Sequence, residues 1–382
     1  MRLEKYCVMQ NSMENFLVNK FQCAENLSER AYGLDMLRFI SMLGIIGLHV
    51  INGGGYLRAA SSTTQLIAVR VVLVLCYCSA NTFAMLTGYL YASKERHNST
   101  NLISLLAATF FYCVVILTFF ICFKPELFQE RRLYAYALCP PLMGRYWYLT
   151  SYLLLFVMIP YINVLLKTLG EKQFTRMLFL LLLLFSFATT FASTDFFKVY
   201  SGYSPVWLVF CYVCGAYIYR SKGRTIVKNK KFVLDMFFVN TAVVLVSCFW
   251  PLSSFLGTVE LYGYTSPFML ANAAILLVIF SDISIEKRVF RKLTKSLSKC
   301  SFGVYIIHSH LLVYDYVLCD AFLRLSINNT LIYTLGLLLS ILAIFAVCWP
   351  IEELRLYLFK QLGISKLEER FGEKVNGLML WT

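Results

Sequence analysis

The stretch YGLDMLRFISMLGIIGLHV, at positions 32–50, is long and apolar enough to cross a bilayer, yet it holds an aspartate, an arginine and a histidine. Crossing a bilayer takes about 20 mostly apolar residues in a helix. Ionisable side chains inside the hydrocarbon are costly, so they face the protein interior or a water-filled cavity. Asp35, Arg38 and His49 therefore indicate that one face of this helix has a specific task.

The rest of the chain has the same membrane character. Hydrophobic residues make up 59% of the 382 residues and charged residues only 15%, whereas soluble proteins have about 25% charged residues. Ten stretches are long enough to span a membrane, at about 34–52, 66–91, 102–123, 146–166, 177–193, 203–220, 232–250, 266–283, 300–318 and 330–350. The sequence thus predicts an all-α, polytopic membrane protein with about ten transmembrane helices.

The basic residues predict the orientation of these helices. With a cytosolic N-terminus, the inner loops carry seventeen lysines and arginines and the outer loops seven, in agreement with the positive-inside rule. Both termini are then cytosolic, because the number of spans is even. This loop distribution explains the formal net charge of +14, so membrane lipids and not nucleic acid are the expected partners.

The chain is predicted to have three parts. Residues 1–30 are polar and lack the apolar core of a cleavable signal peptide, which indicates a cytosolic N-terminal extension. Residues 31–350 form the ten-helix membrane domain, and residues 351–382 form a charged cytosolic tail with an amphipathic helix. Most of the thirteen cysteines lie in apolar stretches, where a free thiol acts as a small hydrophobe, and no metal-binding spacing is present.

Helical geometry places the polar residues of the first span on one stripe. Arg38 and His49 are eleven residues apart, which corresponds to directions within about 20° of each other and an axial distance of about 16 Å. Asp35 falls close to the same stripe. A structural interpretation makes Asp35 and Arg38 an ion pair and His49 a packing residue. The shared face favours a functional site instead, with Arg38 and His49 as catalytic candidates.

Further polar side chains lie in or beside other predicted spans. Arg70 and Asn81 share a stripe of the second span. There Arg70 either snorkels to the interface or binds substrate, and Asn81 either bonds a neighbouring helix or binds substrate. Arg145 and Trp147 open the fourth span, where the tryptophan fits an interfacial aromatic belt and the arginine is placed to bind an anionic group. All four are candidate substrate-binding residues.

The ninth span contains the segment SFGVYIIHSHLLVYDYV, at positions 301–317. Ser301, His308 and Asp315 recur every seven residues, which predicts that they share one face of a helix. His308 is either a second catalytic histidine or a structural hydrogen-bonding residue. Asp315 is two turns away from His308, so it is not expected to orient that ring as a carboxylate does in catalytic pairs.

These stretches resemble the membrane acyltransferase-3 family. The family hallmark, an arginine and a histidine separated by ten residues on the first helix, is matched by Arg38 and His49 in LDMLRFISMLGIIGLHV. FAMLTGYL (83–90) resembles its segment ending in Ser-Gly-Tyr/Phe-Leu, with Thr87 where serine is commoner. Its later motifs are similar to YWYL (146–149), WLVFCYVCGAYIYR (207–220) and SFGVYIIH (301–308). Each motif is short, but their order from about residue 31 to 350 makes the resemblance specific.

The resemblance implies an integral O-acyltransferase of the bacterial plasma membrane. Such enzymes move an acyl group, usually acetyl from acetyl-CoA, to a hydroxyl of a surface or exported polysaccharide, and no permanently bound cofactor is implied. Arg38, held by Asp35, would orient the anionic donor or its thioester. His49 would be the general base, with His308 as the second candidate for a catalytic histidine. The implied substrate-binding residues are Asp35, Arg70, Asn81, Arg145, Trp147 and Tyr305.

Other functional classes also contain basic, aromatic-rich membrane proteins. A transporter of polysaccharide or lipid-linked glycan would show inverted repeats with broken helices, and no such repeat is visible in the sequence. A glycan polymerase is expected to have large outer loops with several arginines, and only the loop 124–145 has that character. A non-catalytic sensor on the same scaffold would tolerate the loss of His49.

Overall fold

The computed structural model describes residues 31–92, 94, 98–192, 195–221, 229–250, 261–325 and 327–378. These residues are mostly helical, and no strand occurs among them. The predicted N-terminal extension, 1–30, lies outside the described residues. In chain order the helices are α1 Tyr32–Leu48, α2 Tyr56–Ala59, α3 Thr63–Tyr77, α4 Ser79–Tyr91, α5 Thr100–Phe123, α6 Arg131–Leu138, α7 Trp147–Thr168, α8 Glu171–Leu182, α9 Thr189–Phe191, α10 Pro205–Arg220, α11 Lys230–Ser247, α12 Pro267–Ser281, α13 Arg288–Ser309, α14 Leu311–Val313, α15 Thr330–Gln361 and α16 Ile364–Leu378.

Within the described residues, six helical stretches are long and apolar enough to cross a membrane: Tyr32–Gly53, Thr63–Tyr91, Thr100–Phe123, Trp147–Thr168, Glu171–Phe191 and Thr330–Gln361. The helices Pro205–Arg220 and Pro267–Ser281 are apolar but shorter. Six of the predicted spans are thus confirmed as candidate membrane helices, and the chain is a multi-pass membrane protein. The other predicted spans and the cytosolic position of both termini stay predictions.

Local sequence signals explain where several helices begin. Ser204 precedes α10, and its Oγ accepts a hydrogen bond from the backbone N–H of Trp207 at 3.2 Å. Pro205 follows in the first turn, where its missing N–H has no helical partner to lose. Asn329 caps α15 in the same way, because its Oδ1 accepts from the N–H of Ile332 at 3.1 Å. Each cap satisfies a backbone donor that the first turn of a helix leaves without a partner.

Helix α1 lies at the centre of the fold, in contact with α3, α4, α12, α13 and α15. Gly44 and Gly47 let α4 and α3 approach it closely, since an added Cβ would lie 2.0 Å from Ser79 Oγ and 2.7 Å from Cys76 Sγ. By helical geometry, these glycines lie on the side of α1 roughly opposite to Arg38. The polar stripe of α1 is therefore left to face another neighbour, which is α13.

A close helix crossing joins α4 and α10. An ideal Cβ on Gly88 would lie 1.9 Å from the carbonyl oxygen of Tyr212, and one on Gly215 would lie 1.9 Å from that of Met85. Small residues allow membrane helices to approach at such distances. Gly88 belongs to the segment FAMLTGYL and Gly215 to WLVFCYVCGAYIYR, so these two motifs meet at a point of helix packing.

We expect the substitution Gly88→Ala to lower the melting temperature of the detergent-solubilised protein. The added methyl group meets a backbone carbonyl, which cannot rotate away as a side chain can. The destabilisation should therefore reach the upper part of the usual range of about 1–3 kcal/mol for overpacking. The matched control is Gly377→Ala, because a Cβ at that position meets nothing within 4 Å. Equal melting temperatures for the two variants would contradict the close crossing.

The predicted ninth span is not one continuous helix. Helix α13 ends at Ser309, and the backbone of His310 is extended, with ψ of 136°. The ring Nδ1 of His310 accepts a hydrogen bond from the N–H of Leu312, so His310 caps the start of α14. Asp315 follows in a π-helical turn and is exposed. The prediction that Asp315 shares a helical face with His308 is therefore wrong, because the break redirects the chain after Ser309.

The last membrane helix is longer than predicted. Helix α15 continues through Pro350 to Gln361, whereas the sequence placed the end of the span at 350. A proline removes one helical hydrogen bond, and membrane helices tolerate it. The tail then forms α16, which packs on α5 and accepts a hydrogen bond from Ser104 Oγ at Glu368 Oε2, at 2.8 Å. The predicted tail therefore does contain a helix.

Candidate active site

Two histidines from different helices meet at one end of the fold. His49 follows the last residue of α1 and begins a π-helical extension, His49–Gly53, and His308 lies in the last turn of α13. His49 Nδ1 and His308 Nε2 are 3.0 Å apart. His308 is buried, with 2% of its surface exposed. We call these two hydrogen-bonded residues the histidine pair.

Backbone and side-chain groups surround the histidine pair. His308 Nδ1 lies 2.6 Å from the carbonyl oxygen of Val304, one turn earlier on α13. Ser309 Oγ lies 3.3 Å from His308 Nε2 and 3.5 Å from His49 Nδ1. The ring of Tyr314 contacts His49 edge-on, with centroids 5.4 Å apart. Within the described residues, no three His, Cys, Asp or Glu side chains are grouped as they would be to bind a metal ion.

A second polar group lies on the same face of α1, about 16 Å along the helix from His49. Arg38 Nη1 donates hydrogen bonds to Ser298 Oγ at 2.9 Å and to Asp35 Oδ1 at 3.3 Å. Ser298 Oγ in turn donates to Asp35 Oδ1 at 2.8 Å. Asp35 is buried, whereas 31% of the Arg38 side chain is exposed. A buried carboxylate and a hydroxyl therefore orient a guanidinium that is still accessible.

Helices α1 and α13 run parallel, so each of the two polar residues of α1 has a partner on α13. Arg38 contacts Ser298, and His49 contacts His308. The spacing between the two positions is eleven residues on α1 and ten on α13, so the two helices stay in register over this distance. Both polar residues of the α1 stripe thus face the same neighbouring helix.

A cavity of about 550 Å³ lies between α1, α4, α5, α7 and α13. Its walls include three basic residues at one end, which we call the basic end: Arg38, Lys94 and Lys299. Its other walls are mostly apolar or aromatic and include Met42, Ile45, Leu149, Tyr152, Phe302 and Tyr305. Ile45 and Tyr305 stand one helical turn before His49 and His308. The cavity therefore leads from the basic end to the neighbourhood of the histidine pair.

Two cations at the basic end, Lys94 and Arg38, repel each other. Desolvation beside the cavity and then the positive charge of Arg38 lower the pKa of Lys94. The Lys94 ammonium also lies 4.2 Å from the centre of the Tyr91 ring. An anion bound near Lys94 and Arg38 would offset this repulsion, because an opposite charge stabilises the protonated forms. The basic end is thus suited to bind an anionic group.

The comparison with known families agrees with this site. A model of the acyltransferase-3 family, described as an acyltransferase domain, matches residues 31–352. The chain belongs to the acyltransferase-3 family. The match extends from the start of α1 into α15 and includes Arg38 and the histidine pair, so the resemblance of the sequence motifs is confirmed. No curated protein and no solved structure matches the chain.

In this membrane acyltransferase, four of the predicted site residues lie on the cavity or at the histidine pair, and a fifth, Asp35, contacts one of them. Arg38 lines the basic end and is held by Asp35. Tyr305 lines the end of the cavity that is next to the histidine pair, and the centroid of its ring lies 6.3 Å from that of His308. His308 completes the set through its contact with His49. Arg38 and His308 are 270 positions apart in sequence. The cavity and the histidine pair bring them into one site.

Two other predicted residues have structural partners away from this site. Arg70 donates a hydrogen bond to the carbonyl oxygen of Cys248. Asn81 is buried, its Nδ2 donates to the carbonyl oxygen of Tyr264, and its Oδ1 accepts from Trp207 Nε1, both at 2.8 Å. Asn81 therefore bonds a neighbouring helix, one of the two alternatives that the sequence left open. Substrate contact by Arg70 or Asn81 stays a prediction.

The predicted residues at the start of α7 also lie outside the cavity walls. Arg145 is exposed, and its guanidinium lies 5.9 Å from the centre of the Tyr136 ring. Trp147 packs against Tyr203 and Tyr264, with ring centroids 4.6 and 5.9 Å away. This ring cluster has the composition of an interfacial aromatic belt. A role for Arg145 or Trp147 in binding the acceptor stays a prediction.

Several residues of the site were missed by sequence reasoning. Ser298 is ten residues before His308, almost the spacing that joins Arg38 to His49, and this parallel would have indicated a second polar stripe. Lys94 and Lys299 were interpreted only as charges that orient the helices. Their part in the cavity depends on helix packing, which no local pattern reports.

Proposed function

We propose that this acyltransferase moves an acyl group, in the first instance acetyl, from cytosolic acyl-CoA to a hydroxyl of a surface or exported polysaccharide. We place it in the bacterial plasma membrane. The observation that carries the proposal is the cavity that joins the basic end to the neighbourhood of the histidine pair. A polyanionic donor with a long flexible arm fits such a cavity.

The donor side of the proposal uses the basic end. Lys94 follows α4, and Lys299 lies on α13. Both are in stretches that the sequence assigns to inner loops, which the positive-inside rule places in the cytosol, where acyl-CoA is made. Arg38 provides a planar donor fork that matches phosphate or thioester oxygen. The axial distance from Arg38 to His49, about 16 Å, is comparable with an extended pantetheine arm. The apolar walls would hold that arm and bring the acyl carbon toward His49.

The chemistry proposed for His49 is general-base catalysis. His49 takes the proton of the acceptor hydroxyl while the oxygen attacks the thioester carbonyl. The new ester C–O bond forms, the C–S bond breaks, and the proton passes from His49 to the sulfur of the departing CoA. Imidazole suits both steps because its ordinary pKa is close to neutral pH. A transfer through an acylated histidine is the alternative, and it would leave label on the protein.

Membrane vesicles test the proposal. Inside-out vesicles expose the proposed cytosolic face, so labelled acetyl-CoA added outside should yield a base-labile labelled ester on polysaccharide. Right-side-out vesicles with the same protein content should give only the background of vesicles that lack the protein. Equal labelling of both preparations would contradict the proposed orientation. If inside-out vesicles gave no label and the purified protein bound no acyl-CoA, the proposed donor would be wrong.

We expect Arg38→Ala to raise the KM for acyl-CoA by about 10- to 100-fold, since a hydrogen bond to a charged group contributes about 1.5–3 kcal/mol. Lysine keeps the charge but not the fork, so Arg38→Lys should fall between the wild type and Arg38→Ala. The matched control is Lys295→Ala on α13, an exposed cation that is not part of the cavity wall. A KM for Arg38→Ala no higher than that of the control would remove Arg38 from donor binding.

A further inference from the structure

The histidine pair contains a proton arrangement that its distances determine. The carbonyl oxygen of Val304 can only accept a hydrogen bond, and it lies 2.6 Å from His308 Nδ1. Nδ1 of His308 must therefore carry the hydrogen. A neutral imidazole has a single N–H, so its other nitrogen, Nε2, is an acceptor.

The same reasoning extends to His49. His308 Nε2 is an acceptor and lies 3.0 Å from His49 Nδ1, so His49 Nδ1 must donate. If neither nitrogen carried a hydrogen, two lone pairs would face each other at this distance. Ser309 does not change the assignment, because its hydroxyl can both accept from His49 and donate to His308. Neutral His49 therefore has its free lone pair on Nε2. This nitrogen takes no part in the hydrogen bonds between the two rings, Ser309 and Val304.

We infer that His308 is a positioning residue for His49. The Val304 carbonyl holds the N–H of His308 on Nδ1, so Nε2 of His308 accepts from Nδ1 of His49, and Nε2 of His49 is left as the basic nitrogen. The inference rests on the proposed function only for its catalytic consequence. In this arrangement His308 does for His49 what a carboxylate does for the histidine of a catalytic triad. Within the described residues, no Asp or Glu side chain is hydrogen-bonded to either ring.

A neutral hydrogen-bond acceptor suits the position of His308, because only 2% of this residue is exposed. A carboxylate buried beside His49 would cost far more desolvation free energy than a neutral imidazole does. When His49 takes a proton at Nε2, its Nδ1–H still donates to His308, and the positive charge strengthens that hydrogen bond. His308 itself keeps its proton on Nδ1 throughout, so it neither gains nor loses a proton in the cycle.

Two substitutions of His308 separate positioning from packing. Leucine is apolar and similar in size, whereas the Oε1 of glutamine accepts a hydrogen bond near the former position of Nε2. We expect His308→Leu to lower kcat by about 100-fold, with the KM for acyl-CoA unchanged, because His49 loses the hydrogen bond that fixes its tautomer and ring orientation. A loss of up to about 100-fold also follows removal of the partner that orients a metal-bound histidine. His308→Gln should recover a large part of kcat. Equal kcat values for both variants would overturn the inference.

Nitrogen NMR gives a readout that does not depend on activity. The chain has four histidines, so selective ¹⁵N-histidine labelling in nanodiscs gives few signals, and the loss of one set in His49→Gln assigns His49. We expect wild-type His49 to be protonated at Nδ1 and unprotonated at Nε2, and this preference to be lost in His308→Leu. The opposite tautomer in the wild type would overturn the inference.

The two readouts distinguish failure of the inference from failure of the proposed function. The expected tautomer without any acyl transfer would leave the positioning by His308 intact and remove the acyltransfer chemistry assigned to His49. Acyl transfer by a protein with the opposite tautomer would support the proposed function and overturn the positioning by His308. If His308→Leu failed to fold, the wild-type spectrum would still decide.

Discussion

Replacement of His49 by alanine is expected to reduce acyl transfer by about 10²- to 10⁴-fold, the contribution of a positioned general base. His49 lies beside the end of the cavity opposite the basic end, and its Nδ1 is hydrogen-bonded to His308. Its removal leaves the cavity intact, because His49 is not part of the cavity wall. The KM for acyl-CoA should therefore change little while kcat falls.

Transfer of label from acyl-CoA to polysaccharide in inside-out vesicles measures this effect, at equal amounts of protein in the membrane. The matched control is Thr118→Ala on α5, which also replaces a polar residue of a membrane helix by alanine but at an exposed position. A His49→Ala variant with more than a tenth of control activity would show that another group acts as the base. His308 would then be tested as that group, and the assignment of His49 would be abandoned.

The second large effect is expected at a buried ion pair on α15. Arg355 donates hydrogen bonds to both carboxylate oxygens of Glu352, at 2.8 and 2.7 Å, and Tyr112 Oη donates to the same carboxylate at 2.7 Å. Glu352 is 3% and Arg355 6% exposed. An ideal Cβ on Gly303 would lie 2.2 Å from the Glu352 carboxyl carbon. The pair therefore joins α15 to α5 and to α13, the helix that carries Ser298 and His308.

We expect Arg355→Met to destabilise the protein by about 3–5 kcal/mol, because it leaves the Glu352 carboxylate buried without its cation. The melting temperature of the protein in detergent measures this effect. The control is Lys360→Met, which removes an exposed cation from the same helix. Adding Glu352→Gln to Arg355→Met should recover part of the loss, because no buried charge is then left unpaired. A single variant as stable as the control would contradict the proposed role of the pair.

The polar stripe of the first helix illustrates how far the sequence leads. The eleven-residue spacing of Arg38 and His49 predicts a shared face, because a helix repeats its directions at that interval. The structure places both on the face toward α13. The identity of this neighbour is not contained in the spacing, since α13 lies more than 200 positions later in the chain.

The glycines of the motifs show the same division. The sequence presents Gly88, Gly215 and Gly303 as parts of short motifs without a stated task. In the structure each allows a close approach, two at the crossing of α4 with α10 and one at the contact of α13 with Glu352. The task is defined by an atom of another helix, so only the packed fold reveals it.

The break after Ser309 marks where a sequence pattern misleads. A seven-residue repeat predicts one helical face for His308 and Asp315, but it presumes that the helix continues between them. The side chain of His310 caps a new turn instead, and its Nε2 bonds the carbonyl oxygen of Ala137 at 3.0 Å. A contact with a distant segment thus overrides the local periodicity.

The sequence by itself determined that this protein crosses the membrane several times, which family it resembles, and which residues of α1 share a polar face. These properties depend on composition and on periodicity along one helix, and both are local. Only the tertiary structure decided that His308 is the partner of His49, and that a cavity leads to this pair from Arg38. Hydrogen bonds and cavities of this kind join helices distant in the chain, and they form only once those helices have packed together.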